Sequence, residues 1–168
     1  MILAVAPDRD FEGVYEELFT RIYGYVRAQV RNDADAEDVT AAVFMNAYRA
    51  WPRYEPQAAT PAAWLFRIAR NAVLDHLRGS SRRERLLRVV GREREDLDDP
   101  AAQAERGLEH ERVLAAVARL PERQREAVRL RMAELRFDEI GVLMECTDDA
   151  AKMLYHRALR ALREMLAE

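Results

Sequence analysis

The sequence predicts an all-α fold, with two small helical domains joined by a flexible linker. Three observations carry that reading. Glycine and proline are scarce, six each in 168 residues, too few for the turns of a many-stranded β fold. Apolar residues recur at intervals of three and four in two blocks, one up to residue 78 and one from residue 108, the period of amphipathic helices. Between them, residues 79–107 are rich first in Ser and Arg and then in Asp and Glu, with Gly91, Pro100 and Gly107 spaced through. The expected divisions are therefore a first domain at 1–78, a flexible acidic linker at 79–107 and a second domain at 108–168. Both domains lie near the lower size limit for burying a stable core, so docking on a large partner would stabilise them.

In the first domain, Phe11, Val14, Tyr15, Leu18, Phe19, Ile22, Tyr23, Val26 and Val30 predict one amphipathic helix. Asn32-Asp33 breaks it and can cap the next. Val39, Val43, Phe44, Ala47, Tyr48 and Trp51 carry the stripe of a second helix, which Pro52 and Pro56 stop, leaving 52–60 as a loop. Thr60 at the N-cap and Pro61 at the first helical position start a third. Its apolar side is Trp64, Leu65, Ile68, Ala69, Ala72, Val73, His76 and Leu77, and Gly79 suits its end. A continued helix near 81–90 is compatible with the sequence.

In the second domain, 108–120 is helical, and Leu120-Pro121 ends that helix and opens another that runs to about Ala133. Residues 137–144 form a short helix, Cys146-Thr147 a turn with Thr147 as N-cap, and 148–166 the last helix. A short helix, a tight turn and a longer helix make a helix-turn-helix candidate.

Composition narrows the function. Hydrophobic content of 49% and charged content of 34% fit a soluble globular protein. Cys146 is the only cysteine, which excludes an internal disulfide and suits a reducing cytoplasm. His76, His110 and His156 fall on separate elements without ligand spacing, so no metal and no other cofactor is expected. No Gly-rich phosphate loop, Ser/His/Asp arrangement or convincing carboxylate pair points to an enzyme. Met1 to Ala6 is apolar but too short for a signal peptide, and no apolar run approaches the ~20 residues of a membrane span. Net charge is −3, against a generic DNA binder, but the distribution is uneven. Residues 62–94 hold nine arginines against three acids, and residues 95–111 hold one arginine against seven acids. A basic block beside an acidic one reads as a surface for phosphate and a segment that avoids or mimics it, with a salt-bridged linker as the plainer alternative.

Three sets of residues are candidates for binding. Asp35, Glu37 and Asp38 sit in the first turn of the second helix, where carboxylates complement the helix dipole. Arg67, Arg70, Asn71 and Arg78 recur about a turn apart on the third helix, near Tyr54, Trp64 and Phe66. Cations for phosphates interleaved with rings for bases suit single-stranded DNA; the alternative is a core Trp64 beside solvated arginines. In the helix-turn-helix, Lys152, His156, Arg157 and Arg160 supply cations, with Arg123 and Arg125 before it. Met153 could touch a thymine methyl, or pack inward with Leu154. Asp148 and Asp149 repel phosphate unless one accepts from cytosine N4.

These segments resemble a known family. Asp-Ala-Glu-Asp at 35–38, Val43-Phe44, Trp64-Leu-Phe-Arg-Ile-Ala-Arg-Asn71 and Asp75-His-Leu-Arg78 are followed by Leu120-Pro-Glu-Arg-Gln-Arg125, Phe137-Asp-Glu-Ile140 and His156-Arg-Ala158. In order, spacing and helical phase they resemble regions 2 and 4 of a bacterial RNA polymerase sigma factor of the extracytoplasmic-function (ECF) group of the sigma-70 family. The resemblance spans about residues 10–78 and 108–166.

It implies a three-helix region 2 and a helix-turn-helix region 4 that together direct promoter-specific transcription initiation. By resemblance Asp35, Glu37, Asp38, Val43 and Phe44 meet the clamp helices of the polymerase largest subunit. Tyr54, Trp64, Arg67, Arg70, Asn71 and Arg78 meet the melted minus-ten element, with the loop Trp51 to Thr60 capturing a flipped base. Arg123, Arg125, Lys152, Met153, His156, Arg157 and Arg160 meet the minus-thirty-five element. Implied partners are core RNA polymerase, including its flap, promoter DNA and an anti-sigma factor, with no membrane insertion. The acidic segment 95–109 resembles family linkers that thread toward the active-site and RNA-exit channels.

Two departures stand out: Ala41-Ala42 in place of Gln-Glu, and Asp149-Ala-Ala-Lys-Met-Leu154 in place of a Gly-Thr-Val-Lys-Ser-Arg run. A helix-turn-helix regulator or a helical adaptor, each acting without polymerase, remains as an alternative. Co-purification with core polymerase separates the three.

Overall fold

A computed structural model describes residues 10–90 and 107–168. In the first unit, short polar side chains start the helices by accepting from otherwise unpaired backbone N–H groups, each worth about 1 kcal/mol. The Asp10 carboxylate accepts from Glu12 N at 3.0 Å and opens α1 (Phe11–Arg27). Asn32 Oδ1 accepts from Asp35 N at 2.8 Å and opens α2 (Asp33–Ala50). A 3₁₀ turn, Trp51–Arg53, closes α2. Thr60 Oγ1 accepts from Ala63 N at 3.1 Å at the start of α3 (Pro61–Val90).

These helices make the first unit. α1 and α2 pack on each other and on α3. Val14, Leu18, Ile22 and Val26 of α1, Val39, Val43, Phe44 and Ala47 of α2, and Leu65, Phe66, Ala69 and Val73 of α3 are all buried. Tyr25 lies edge-on to Phe66, with ring centroids 5.4 Å apart. The apolar arc of α1 is wider than its core stripe: Tyr15 and Phe19 stay partly exposed while packing against Phe44.

Gly79 does not end α3, and the boundary expected after residue 78 falls inside a helix that runs on to Val90. Two causes are visible. Residues 81–87 are mostly Arg, Glu and Leu, which are good helix formers, and they outweigh the ~1 kcal/mol cost of one interior glycine. The Arg31 guanidinium also meets Glu84 at 2.8 Å, fastening the extension to the α1–α2 junction. The acidic part of the expected linker, up to residue 106, lies outside the described residues. The chain divides between Asp96 and Leu97 into two units.

The second unit holds α4 (Leu108–Arg119), α5 (Glu122–Met132), α6 (Phe137–Met144) and α7 (Asp148–Ala167). Leu120 is extended, at ψ 148°, as a residue before proline must tend to be, and this separates α4 from α5. α7 packs against the other three. Ala127, Leu130, Leu135, Ile140, Leu143, Met144 and Ala151 are buried at the helix-turn-helix end. Ala116, Leu120, Val128, Ala158 and Leu162 form a second cluster, covered by Tyr155 and Met165. Among the described residues no helix is long and apolar enough to cross a membrane.

The turn between α6 and α7 depends on one missing side chain. Glu145 takes the left-handed conformation, φ 54°, and Cys146 N donates to Gly141 O at 2.9 Å. A Cβ on Gly141 would stand 2.8 Å from the Cys146 carbonyl oxygen and 3.3 Å from Thr147 C, both backbone atoms. Thr147 Oγ1 then accepts from Ala150 N at 3.1 Å and starts α7. Arg123 donates to Met144 O at 3.2 Å and holds the end of α6 from α5.

Gly141→Ala should therefore destabilise the second unit by about 1–3 kcal/mol, the usual cost of overpacking, despite the ~1 kcal/mol helix-propensity gain. Urea unfolding of the full chain, followed by amide exchange across residues 137–160, measures it. Equal or higher stability would show that the turn can open without cost.

Candidate functional site

The exposed and buried sides of α2 separate the first set of candidates. Glu37 and Asp38 are exposed and share a face with Ala41, Met45 and Tyr48, the last two 55% and 68% exposed. Asp35 turns toward α3, where its carboxylate lies 3.7 Å from His76 Nε2. Val43 and Phe44 are corrected: at 0% and 6% exposure they are core residues and cannot meet a partner's surface. They occupy the helical phase that faces α1 and α3. Met45 and Tyr48 are exposed on the outer face instead; Tyr48, placed on the apolar stripe by periodicity, only lays its ring edge-on against Phe11 at 5.4 Å. Their signal was present, since they alternate in phase with Glu37 and Asp38.

A cluster of rings stands where α2 leads into α3. Trp51 stacks on Tyr54 at 4.9 Å, and Trp64 lies 5.7 Å from Trp51 and 5.0 Å from Tyr54. Tyr54 is corrected as a base-stacking candidate. It is 7% exposed, and its hydroxyl donates to Ala59 O at 2.7 Å, so it braces the loop. Trp51 and Trp64 stay half-open. Phe66 is fully buried.

At 100° per residue, Trp64, Arg67, Asn71, Leu74, Arg78, Ser81, Arg82 and Arg85 fall within one arc of about 100° on α3. Beyond half-buried Trp64 this arc faces solvent: Arg67, Asn71, Arg78, Arg82 and Arg85 are all exposed. Arg70 is half-buried beside it. Arg82 and Arg85 were not expected here, because the sequence places them in a linker. Once the helix continues past Gly79 they join the stripe.

In the second unit, Lys152, Met153, His156, Arg157 and Arg160 are exposed on α7, as are Asp148 and Asp149 at its start. Met153 is 52% exposed, which removes the inward-packing alternative for that residue; Leu154 is half-buried. Arg123 and Arg125 lie on α5, apart from this stripe, and each gives one guanidinium N–H to a backbone carbonyl while keeping its charge. Arg123 is bonded to Met144 O, and Arg125 donates to Ala118 O at 3.1 Å across the α4–α5 turn. At the start of α6, Arg136 pairs with Asp138 through two hydrogen bonds. Those bonds hold the Asp138 carboxyl below its usual range. A depressed carboxyl pKa means that this small contribution is present above the unfolded pKa and is lost as pH falls through the folded one. Among the described residues no three His, Cys, Asp or Glu side chains come together as a metal site.

One helical unit carries a face of rings and cations and the other a helix-turn-helix, an arrangement met in DNA-binding proteins. The comparisons make the family specific. Sigma-70 region 2 matches residues 14–83 and sigma-70 region 4 matches residues 110–162. The RNA polymerase sigma factor CarQ of Myxococcus xanthus is 35% identical over 162 residues, covering 94% of this chain and 90% of that one. The ECF RNA polymerase sigma factor BldN of Streptomyces coelicolor is 32% identical, covering 94% of this chain and 61% of that one. The sigma factor RpoE, solved with the anti-sigma factor NepR from Bartonella quintana, shares the fold with a TM-score of 0.70. It is 24% identical over 94% of this chain and 97% of that one.

The chain belongs to the sigma-70 family: it is an RNA polymerase sigma factor of the extracytoplasmic-function type, directing promoter-specific transcription initiation. Sigma factors are non-catalytic regulators of that step.

The α2 assignment can be checked by stability. Phe44→Ala should cost about 3–5 kcal/mol, as buried aromatic truncations do, whereas Glu37→Ala should stay within about 0.5 kcal/mol. Urea unfolding reads both, and comparable small effects would put Phe44 on the surface after all.

Proposed function

We propose that this sigma factor uses three surfaces. The outer face of α2, with Glu37, Asp38, Met45 and Tyr48, docks on the clamp helices of core polymerase. The first half of α3, with Trp64, Arg67 and Asn71 beside Trp51, holds the melted minus-ten strand. The exposed stripe of α7, with Lys152, Met153, His156, Arg157 and Arg160, reads the minus-thirty-five element. The observation that carries the reading is the α3 face, where half-open rings lead directly into a row of solvent-facing cations. Rings replace the stacking that a base gives up on melting, and cations hold the phosphates between them.

On this reading the chain carries no chemistry of its own. It acts in the cytoplasm, where polymerase supplies catalysis. The solved RpoE structure includes an anti-sigma factor, and an anti-sigma factor is proposed here as a partner. The governing experiment is reconstitution. The chain should co-purify with core polymerase and support run-off transcription from promoter fragments that core alone does not use. A chain that binds duplex DNA yet never joins core would be a free regulator instead.

Each surface has its own test. Glu37→Arg with Asp38→Arg should weaken core binding most at low salt, because rim charges act through long-range attraction; an affinity unchanged at every salt concentration removes α2 from the interface. Arg67→Ala with Asn71→Ala should cut open-complex formation and shallow the salt slope by roughly 0.7, the value for a single cation on a single-strand phosphate. Asp148→Asn with Asp149→Asn should raise minus-thirty-five protection in footprints at low salt, since two repulsive charges leave the end of α7 that approaches phosphate. A flat footprint would make the second unit a docking domain.

A further inference from the structure

Burial on α3 stops well before the helix does. Among the described residues Val73 is the last buried side chain on it, while the helix runs on to Val90. Past Val73 the half-buried side chains are His76, Ser80, Glu84 and Leu87, three of them polar or charged. Two of these meet charged partners from the α1–α2 side. Arg31 reaches Glu84 at 2.8 Å, and His76 Nε2 lies 3.7 Å from the Asp35 carboxylate in the first turn of α2. Both pairs line one open groove of about 300 Å³ between the α1–α2 junction and α3. Arg31, Asp35, His76 and Glu84 are its charged or titratable groups, and its other lining side chains are neutral. Asp33, a second acid at this end of α2, pairs with Arg27 at 2.6 Å instead.

The two pairs answer differently to pH. Guanidinium and carboxylate groups keep their charges between about pH 5 and 8, so Arg31–Glu84 is constant there. Histidine is the side chain that changes charge in that range. A neutral imidazole gains little from a carboxylate at 3.7 Å, which is too long for a hydrogen bond. An imidazolium at the same distance gains an ion pair, between side chains only 24% and 23% exposed. Arg31 opposes that charge, but Glu84 already neutralises Arg31. A contact that favours the protonated histidine in the folded chain adds stability at acid pH. That stability is lost as pH rises through the titration of the imidazole.

We propose that His76 and Asp35 form a proton-operated clasp between the start of α2 and the extension of α3. Protonation of His76 closes the clasp and docks residues 76–87 on the rest of the unit. Deprotonation leaves that docking to Arg31 and Glu84. Arg78, Arg82 and Arg85 ride on the same stretch, so the firmness with which their row is backed follows pH.

The test is amide hydrogen exchange on the full chain at about pH 5.5 and about pH 8, on either side of the histidine range. Protection across residues 76–87 is corrected for the intrinsic pH dependence of exchange, and α1 serves as the internal reference. In the unaltered chain, protection of 76–87 should be about two- to five-fold higher at the acid pH, the range for a part-exposed ion pair. His76→Gln and Asp35→Asn should each lower the acid value to the alkaline one and leave protection flat with pH. Glu84→Gln removes the other pair, so it should lower protection at both pH values and keep the step between them. A step of equal size in α1 would belong to the whole unit. A step that survives His76→Gln would belong to another group, and no step in the unaltered chain would mean that the contact does not respond to the proton. Any of these three results overturns the proposal.

Discussion

The first unit depends on α3 being buried on one side only. Leu65, Phe66, Ala69 and Val73 close the core against α1 and α2, and at 3.6 residues per turn the remaining positions must face outward. Burial of that stripe fixes the rotation of the helix about its axis. Rotation in turn decides that Arg67, Asn71, Arg78, Arg82 and Arg85 share a surface. No contact within the solvent-facing row is needed to hold it together. The apolar side does so from behind, with the Arg31–Glu84 pair extending the hold past Gly79.

The second unit solves a different problem. A helix-turn-helix must bring the end of one helix close to the start of the next, and close approach of two backbones leaves no room for a Cβ. Gly141 supplies that room, Glu145 accepts a left-handed backbone, and Arg123 satisfies a carbonyl that the ending helix leaves unpaired. α7 packs through its inner positions, Ala151, Ala158 and Leu162, flanked by Tyr155 and Met165. Its outer positions are free to vary. That freedom is why Asp149 and Met153 can depart from the family pattern without disturbing the fold.

Residues misplaced by sequence reasoning share one property: their chemistry fits two roles. Val43 and Phe44 suit a docking face or a core; periodicity already set them on the apolar stripe, and packing against α1 and α3 buries them. Tyr54 suits base stacking or a loop brace, and the Ala59 carbonyl settles it. The partner that buries or braces each of them lies on another element or across a turn.

What the sequence by itself determined was local. Helical periodicity, the Asn32, Thr60 and Thr147 caps, and the breaks at Pro52 and Leu120-Pro121 follow from interactions within a few residues of one another. They place the helices and the helix-turn-helix without reference to the rest of the chain. Tertiary structure decided what those interactions cannot reach. It showed which side of a broad apolar arc is core, so that Tyr15 and Phe19 remain partly open while Phe66 closes. It carried α3 beyond a glycine that sequence rules read as a stop, because an ion pair from a separate segment holds the extension. It also brought Arg82 and Arg85 into line with Arg67. The physical reason is that burial and ion pairing are properties of pairs of elements, and a linear pattern records only one member of each pair.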